Sequence, residues 1–244
     1  MRLALISDIH GNDVAFAAVT ADIERLGLDA CVCLGDVAQG GAQPAESLAR
    51  LRALGCRVAM GNSDHFLLEI PTDSPEPITG QQLEVREWTR DRLGAEALDY
   101  VATFEPIVST TVAPATRLVA FHGSPRSFDD VLLPWSEADA LVRFQGVEAD
   151  LAAGGHTHIQ WSRRLGDALF ANPGSVGLAY DHHQPEDDFR LTPTAEYAIV
   201  TGGRFEPSVE FRRVPYSLAE LLSAIRTSGR PDAESFAQQW RGAG

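Results

Sequence analysis

Sulfur is scarce in this chain. Its 244 residues include three cysteines and two methionines. Cys31 and Cys33 sit two apart in a strand-like run, so both side chains take one face. That spacing is shorter than the usual zinc pair. They read as buried thiols, and with Cys56 the odd count suits a reducing compartment. Long apolar runs are also absent, and none approaches the roughly 20 residues of a membrane span. Met1-Arg2-Leu3 enters a strand with no cleavage-site pattern. A cytoplasmic protein with no membrane partner is expected. Basic residues are few as well. Lys plus Arg number 20 against 34 Asp plus Glu, a formal net charge of −14. No nucleic-acid partner is expected, because such binding takes a basic face. An anionic substrate stays open, since divalent metals can reverse a local field.

What the chain does have is a rhythm. "LALIS", "ACVCLGD" and "CRVAMGN" read as strands, separated by helices over "NDVAFAAVTADIERLG" and "PAESLARLRALG". Strand and helix in alternation imply parallel βαβ units and an α/β fold. Residues 71–105 interrupt this with a proline-rich loop and two helices, "QQLEVREWTRDRLG" and "AEALDYVATF". They are too few for a core of their own and read as a helical insertion in a single domain over 1–244. From 107 the chain is β-rich, with two strands around Ala113-Pro114-Ala115 and hairpins turning at Gly166-Asp167 and Gly202-Gly203. A short helix is expected in "SEADALVRFQG". A C-terminal helix is expected over about 217–241, with Ser217 as N-cap and Glu220 three residues on.

The informative feature is how the strands end. "LALIS" runs into Asp8-Ile9-His10-Gly11-Asn12, and "CVCLGD" ends on Asp36. "RVAMGNSDH" ends on Asn62, Asp64 and His65; "LVAFHGS" on His122; "LAAGGHTH" on His156 and His158. Of seven histidines, only His182 and His183 lie elsewhere. Open α/β sheets bind ligands beyond the carboxyl ends of their strands, so these groups can converge. Asp, His and Asn without cysteine give mixed oxygen and nitrogen donors, suited to Mn²⁺, Fe, Co²⁺, Ni²⁺ or Zn²⁺ in a catalytic site. Asp8, His10, Asp36, Asn62, His122, His156 and His158 are too many donors for one ordinary ion. With Asp36 bridging they serve two, and paired ions of this kind hydrolyse phosphate esters.

Together, Asp8-x-His10, Gly35-Asp36, Gly61-Asn62, His122 and Gly155-His156-Thr157-His158 resemble the calcineurin-like metallophosphoesterases. The "GNSD" and "NPGS" stretches resemble the small prokaryotic phosphodiesterase branch. The resemblance implies a four-layer α-β-β-α sandwich, two mixed sheets flanked by helices, with two divalent ions above the strand ends. Manganese is the leading choice. It implies that Asp8, His10, Asp36 and His158 hold one ion and Asp36, Asn62, His122 and His156 the other. Asn12 and Gly123 match supporting, loop-shaping positions, and Asn62 also faces substrate.

In much of the wider family a histidine follows the motif asparagine and protonates the leaving group; here Ser63 follows Asn62. Good leaving groups are then favoured, since their oxygen needs less protonation. His65 is a candidate substitute against a surface or helix-start role. Asp64 is a candidate supporting acceptor or helix cap, and Arg126 a candidate phosphate contact. Trp88 and Trp135 are candidates for base stacking, set against ordinary packing. The expected activity is phosphodiester or phosphoanhydride hydrolysis by a hydroxide held between the metals, on a small phosphorylated substrate of the nucleotide or dinucleoside polyphosphate kind. A general phosphomonoesterase and a non-catalytic interaction module on the same fold are the alternatives.

Overall fold

The computed structural model describes residues 1–71, 77–114, 116–136, 143–144, 146–185, 189–203 and 206–240. Two five-stranded sheets stack face to face. The first holds β1 (Arg2–Ile6), β2 (Ala30–Cys33), β3 (Arg57–Val58), β9 (Thr194–Thr201) and β10 (Ser208–Pro215) in the order β10-β9-β1-β2-β3. The second holds β4 (Val108–Ala113), β5 (Thr116–Ala120), β6 (Leu151–Ala153), β7 (Gln160–Leu165) and β8 (Ala168–Pro173) in the order β4-β5-β6-β8-β7. Both sheets are mixed. β1, β2 and β3 run parallel, as do β5, β6 and β8, while β9, β10, β4 and β7 pair antiparallel.

Period-two alternation builds the layers. In β1, Leu3 and Leu5 enter the apolar layer between the sheets with Val108, Leu118, Leu151 and Val200. Ala4 and Ile6 face the other way, against Phe16, Val19, Leu48 and Val101 of the helices. A strand buried on both faces has to be apolar throughout, which is why "LALI" shows no alternation. The helices on this side are α1 (Asp13–Leu26), α2 (Pro44–Leu54), α3 (Asn62–Leu68) and α4 (Gly80–Val101). On the far face of the second sheet, Phe121, Trp161 and Phe170 pack with Leu132 and Phe144. The short helix expected within 136–146 lies mostly outside the described residues.

The two insertion helices of the sequence reading are both present within α4, where non-helical backbone at Gly94 (φ 70°, ψ 176°) divides one from the other. Two details differ from the sequence reading. The third strand reduces to Arg57–Val58, extended by a bridge between Ala59 and Glu105. The C-terminal helix expected over 217–241 is instead two: α5 (Leu218–Thr227) and α6 (Ala233–Gln238). Gly229 (φ 75°) and Pro231 cause the break. Proline lacks the N–H a helix needs and pushes the residue before it, Arg230, out of helical geometry. Among the described residues no helix is long and apolar enough to cross a membrane.

Candidate metal centre

The parallel strands bring their carboxyl ends to one side, and the predicted donors meet there. Asp8 and His10 follow β1, Asp36 follows β2, Asn62 opens α3, His122 follows β5, and His156 and His158 follow β6. Two triads have their ligand atoms within 4.8 Å of one another: Asp8, His10 and His158, and Asp8, Asp36 and His122. Asp8 belongs to both, with its Oδ1 3.2 Å from His158 Nε2, 3.7 Å from His10 Nε2 and 3.9 Å from His122 Nε2. Asp36 Oδ2 lies between two of the rings, 3.6 Å from His10 Nε2 and 3.4 Å from His122 Nε2. Asn62 Oδ1 is 3.0 Å from His122 Nε2. His156 sits beside these triads. Its backbone N–H donates to Asp8 Oδ2 at 3.1 Å and its ring lies 5.1 Å from that of His122.

The imidazoles are oriented from behind. Nδ1 of His10 meets the Gln39 carbonyl at 3.0 Å, Nδ1 of His122 the Leu34 carbonyl at 2.8 Å, and Nδ1 of His158 the Leu178 carbonyl at 3.2 Å. A carbonyl only accepts, so each Nδ1 is the protonated, donating nitrogen, and each Nε2 lone pair is turned toward the carboxylates. Asp8 Oδ1 is fully buried with no hydrogen-bond partner among the described residues. Lone pairs facing lone pairs at these distances fit divalent cations placed among them.

Charge tells the same story. Burial would raise the carboxyl of Asp8, but His158 and His10 outweigh it and hold Asp8 well below the usual range. Asp36 is likewise held down, by His122 and His10 against burial. Burial would keep His122 neutral, yet Asp36 and Asp8 push it up to about 10. The cluster therefore demands positive charge, from protons or from metal ions.

The backbone is contorted to achieve this. Six non-glycine residues have positive φ among the described residues, and five are Asp8, His10, Asp36, His156 and His158. Left-handed backbone costs a non-glycine residue of order 1–3 kcal/mol, and such strain gathers at functional sites. Cross-links hold the loops in place: Asp8 N–H to the Gly35 carbonyl at 3.0 Å, His10 N–H to the Asp36 carbonyl at 2.9 Å, and Gly155 N–H to the His122 carbonyl at 2.8 Å. Gly61 packs so closely that a Cβ there would overlap the Asp36 carboxylate, and one on Gly155 would overlap Ser7 Oγ.

The supporting candidates lie around the cluster. Asn12 caps α1 by accepting from Ala15 N–H at 3.0 Å and donates to the Gly177 carbonyl at 2.9 Å. Gly123 leaves no room for a Cβ against Phe128 and Asp130. Asp64, wholly buried, accepts from the N–H groups of Asp36 at 2.7 Å, Val37 at 2.9 Å and Gly61 at 3.2 Å. It caps α3 and ties the third strand end to the second. Burial and the charge of Asp36 push it up to about 7.

Beside the cluster lies a cleft of about 370 Å³, floored by His10, Asn62 and Ser63 and walled by Phe66, Ile78 and Val85. His65 is not among its lining residues and packs against Phe128, ring centroids 5.7 Å apart. Arg126 is exposed, away from the cleft lining. Trp88 lies under the Arg92 guanidinium, and Trp135, 71% exposed, borders a separate cavity with Tyr180 and His182. Sequence reading missed the role of Ser63, which donates to Asp36, and missed Arg230, which reaches the cleft from the loop before α6. Ser63 had a signal in its place next to Asn62; Arg230 had none.

Residues 1–194 match the calcineurin-like phosphoesterase superfamily domain, and the chain belongs to that superfamily, whose members are metal-dependent. MJ0912, an uncharacterized protein of Methanocaldococcus jannaschii, is 27% identical over 247 residues, covering 94% of each chain. A metallophosphoesterase from Sphaerobacter thermophilus superposes with a TM-score of 0.76 at 26% identity, across 98% of this chain and 97% of its own. The hypothetical protein PH1004 of Pyrococcus horikoshii superposes with a TM-score of 0.80 at 18% identity, across 99% and 98%, a likeness of fold. Membership and the Sphaerobacter structure support hydrolase chemistry in general.

Proposed function

We propose that this chain is a dinuclear metal-dependent phosphoesterase that cleaves a phosphodiester or phosphoanhydride in a small nucleotide, of the dinucleoside polyphosphate class. The observation that carries the reading is the pair of triads sharing Asp8, with Asp36 between His10 and His122. Asp8, His10, Asp36 and His158 would hold one ion, and Asp36, Asn62, His122 and His156 the other, manganese being the leading choice for both. Bound there, the ions would lower the pKa of a water and neutralise charge developing on the phosphate oxygens. The chain's own residues do the rest. Gln39, Leu34 and Leu178 carbonyls fix the imidazoles; Ser63 and Gly61 fix Asp36; Asn62 presents its amide at the cleft floor. The water oxygen joins phosphorus, the bond to the leaving oxygen breaks, and the water's proton ends on that oxygen or in solvent. Since His65 turns to Phe128, a leaving group that needs no protonation fits best. Phe66, Ile78 and Val85 offer an apolar wall for a base. A non-catalytic interaction module would be marked by lost ligands, and all seven donors are present. Three free thiols suit a reducing cytoplasm.

The test is a screen of manganese-reconstituted protein across monoesters, diesters, cyclic nucleotides and dinucleoside polyphosphates, with Asp36→Asn as control. Hydrolysis of dinucleoside polyphosphates that Asp36→Asn abolishes is the expected result. An active Asp36→Asn protein overturns the two-metal reading; cleavage of aryl diesters alone overturns the nucleotide assignment.

A further inference from the structure

The break between α5 and α6 delivers a guanidinium to the cleft. Arg230 is half-buried and lines it beside His10 and Gly40. Its Nε donates to the Gly40 carbonyl at 2.8 Å, and Nη1 donates to the Pro231 carbonyl at 2.7 Å. Its Cζ stands over the Phe236 ring, 4.0 Å from the centroid. Both hydrogen bonds end on neutral backbone, and Nη2 has no hydrogen-bond partner among the described residues. Burial makes this charge expensive: desolvation pulls Arg230 down to about 10, with Asp232 only partly offsetting it. A guanidinium clamped by two carbonyls and a ring, with no carboxylate in ion-pair contact among the described residues, is preorganised for an anion that arrives from outside.

Its location specifies which anion. Successive carbonyls of one loop hold a metal-ligand candidate and this arginine: Gln39 takes His10 Nδ1, and Gly40 takes Arg230 Nε. The two side chains are thus anchored about one residue step, ~3.8 Å, apart on the same backbone. Among the described residues lining the cleft, Arg230 is the one lysine or arginine, and the other charged side chain besides His10 is the exposed Asp129. In a chain of net charge −14, a lone fixed cation beside the metal cluster is a selective feature.

We propose that Arg230 is a substrate-binding residue that takes a second phosphate of the substrate, next to the one being cleaved. The site then prefers substrates with adjacent phosphates over diesters with one. This rests on the phosphoesterase reading and narrows its substrate class. The guanidinium fork matches two phosphate oxygens, which a lysine cannot do.

Two measurements test it on manganese-reconstituted wild type, Arg230→Ala and Arg230→Lys. The first is calorimetric binding of methylenediphosphonate and methylphosphonate, probes with two phosphonates and one. Arg230→Ala is expected to lose about 10-fold or more in affinity for the first relative to the second, as loss of a charge-assisted contact implies. Arg230→Lys is expected to recover part of that loss. The second is kcat/KM on diadenosine tetraphosphate against bis(4-nitrophenyl) phosphate, whose ratio is expected to fall by a similar factor, mainly through KM. Equal losses on one- and two-phosphate probes, in whichever variant folds, overturn the proposal. If wild type hydrolyses neither substrate the phosphoesterase reading fails, while the binding comparison still decides Arg230.

Discussion

Ser63 holds both oxygens of Asp36. Its backbone N–H donates to Oδ1 at 2.9 Å and its hydroxyl to Oδ2 at 2.7 Å. The serine thus stabilises the charged form of the carboxylate and fixes its plane between His10 and His122. Ser63→Ala keeps the backbone contact and loses the other. Supporting hydrogen bonds of this kind are worth about 10–100-fold in metal affinity. Manganese titration by calorimetry should show a loss in that range with the fold intact; an unchanged affinity would make Ser63 a bystander.

Gly61 makes a stronger prediction. Any side chain there collides with the Asp36 carboxylate and its backbone nitrogen. Gly61→Ala must move the carboxylate or the loop. Displacement of a reacting group by an ångström costs about 100-fold in rate. Phosphoesterase assays on the variant, with circular dichroism confirming its fold, read this directly.

Asp64 acts through backbone. Asp64→Ala strands the N–H groups of Asp36, Val37 and Gly61, none of which water reaches easily in this wholly buried position. Urea unfolding of the metal-free variant should show a loss of about 3 kcal/mol. A loss below the error of the method would mean that other acceptors take over.

Glu196 on β9 gives a pH signature. It is 4% exposed, its Oε1 is 3.0 Å from Arg213 Nε, and Oε2 has no hydrogen-bond partner among the described residues. Burial pushes it from 4.5 up to about 7, with Arg213 only partly offsetting this. The folded chain therefore keeps a proton that the unfolded chain releases between about pH 4.5 and 7. Stability from this group is complete below that window and declines as pH rises through it. Glu196→Gln removes the effect. Chemical denaturation across pH 4–8 should show the variant gaining on wild type by about 3 kcal/mol over the window. Parallel curves would refute the assignment.

His65 lies one turn into α3 with its ring on Phe128. His65→Ala should lower activity only modestly, and equally for substrates with good and poor leaving groups. A loss that grows with leaving-group pKa would reinstate it as a proton donor.

Much of the site was legible because each donor is attached to a local signal, an apolar strand closing on Asp, His or Asn. Asp8, Asp36 and His122 needed only that pattern and the rule that ligands gather at strand ends. His65 shows where the pattern stops being informative. It lies three residues past Asn62, much as His10 lies two past Asp8, but helical rotation takes Asn62, Ser63 and Phe66 to the cleft and His65 elsewhere. Arg230 was illegible for another reason: its neighbours in space, Gly40 and His10, are remote in sequence. The helix break that carries it was readable. Pro231 after Gly229 is a stop signal that a continuous helix over 217–241 overrides.

The left-handed backbone at Asp8, His10, Asp36, His156 and His158 has a bearing on descent. Each of these residues holds a conformation that glycine adopts freely. A lineage released from selection for hydrolysis could exchange them for glycine and gain stability. The sandwich, whose core lies between the strands and not at their ends, would survive the exchange. The candidate metal centre would thus erode before the scaffold does.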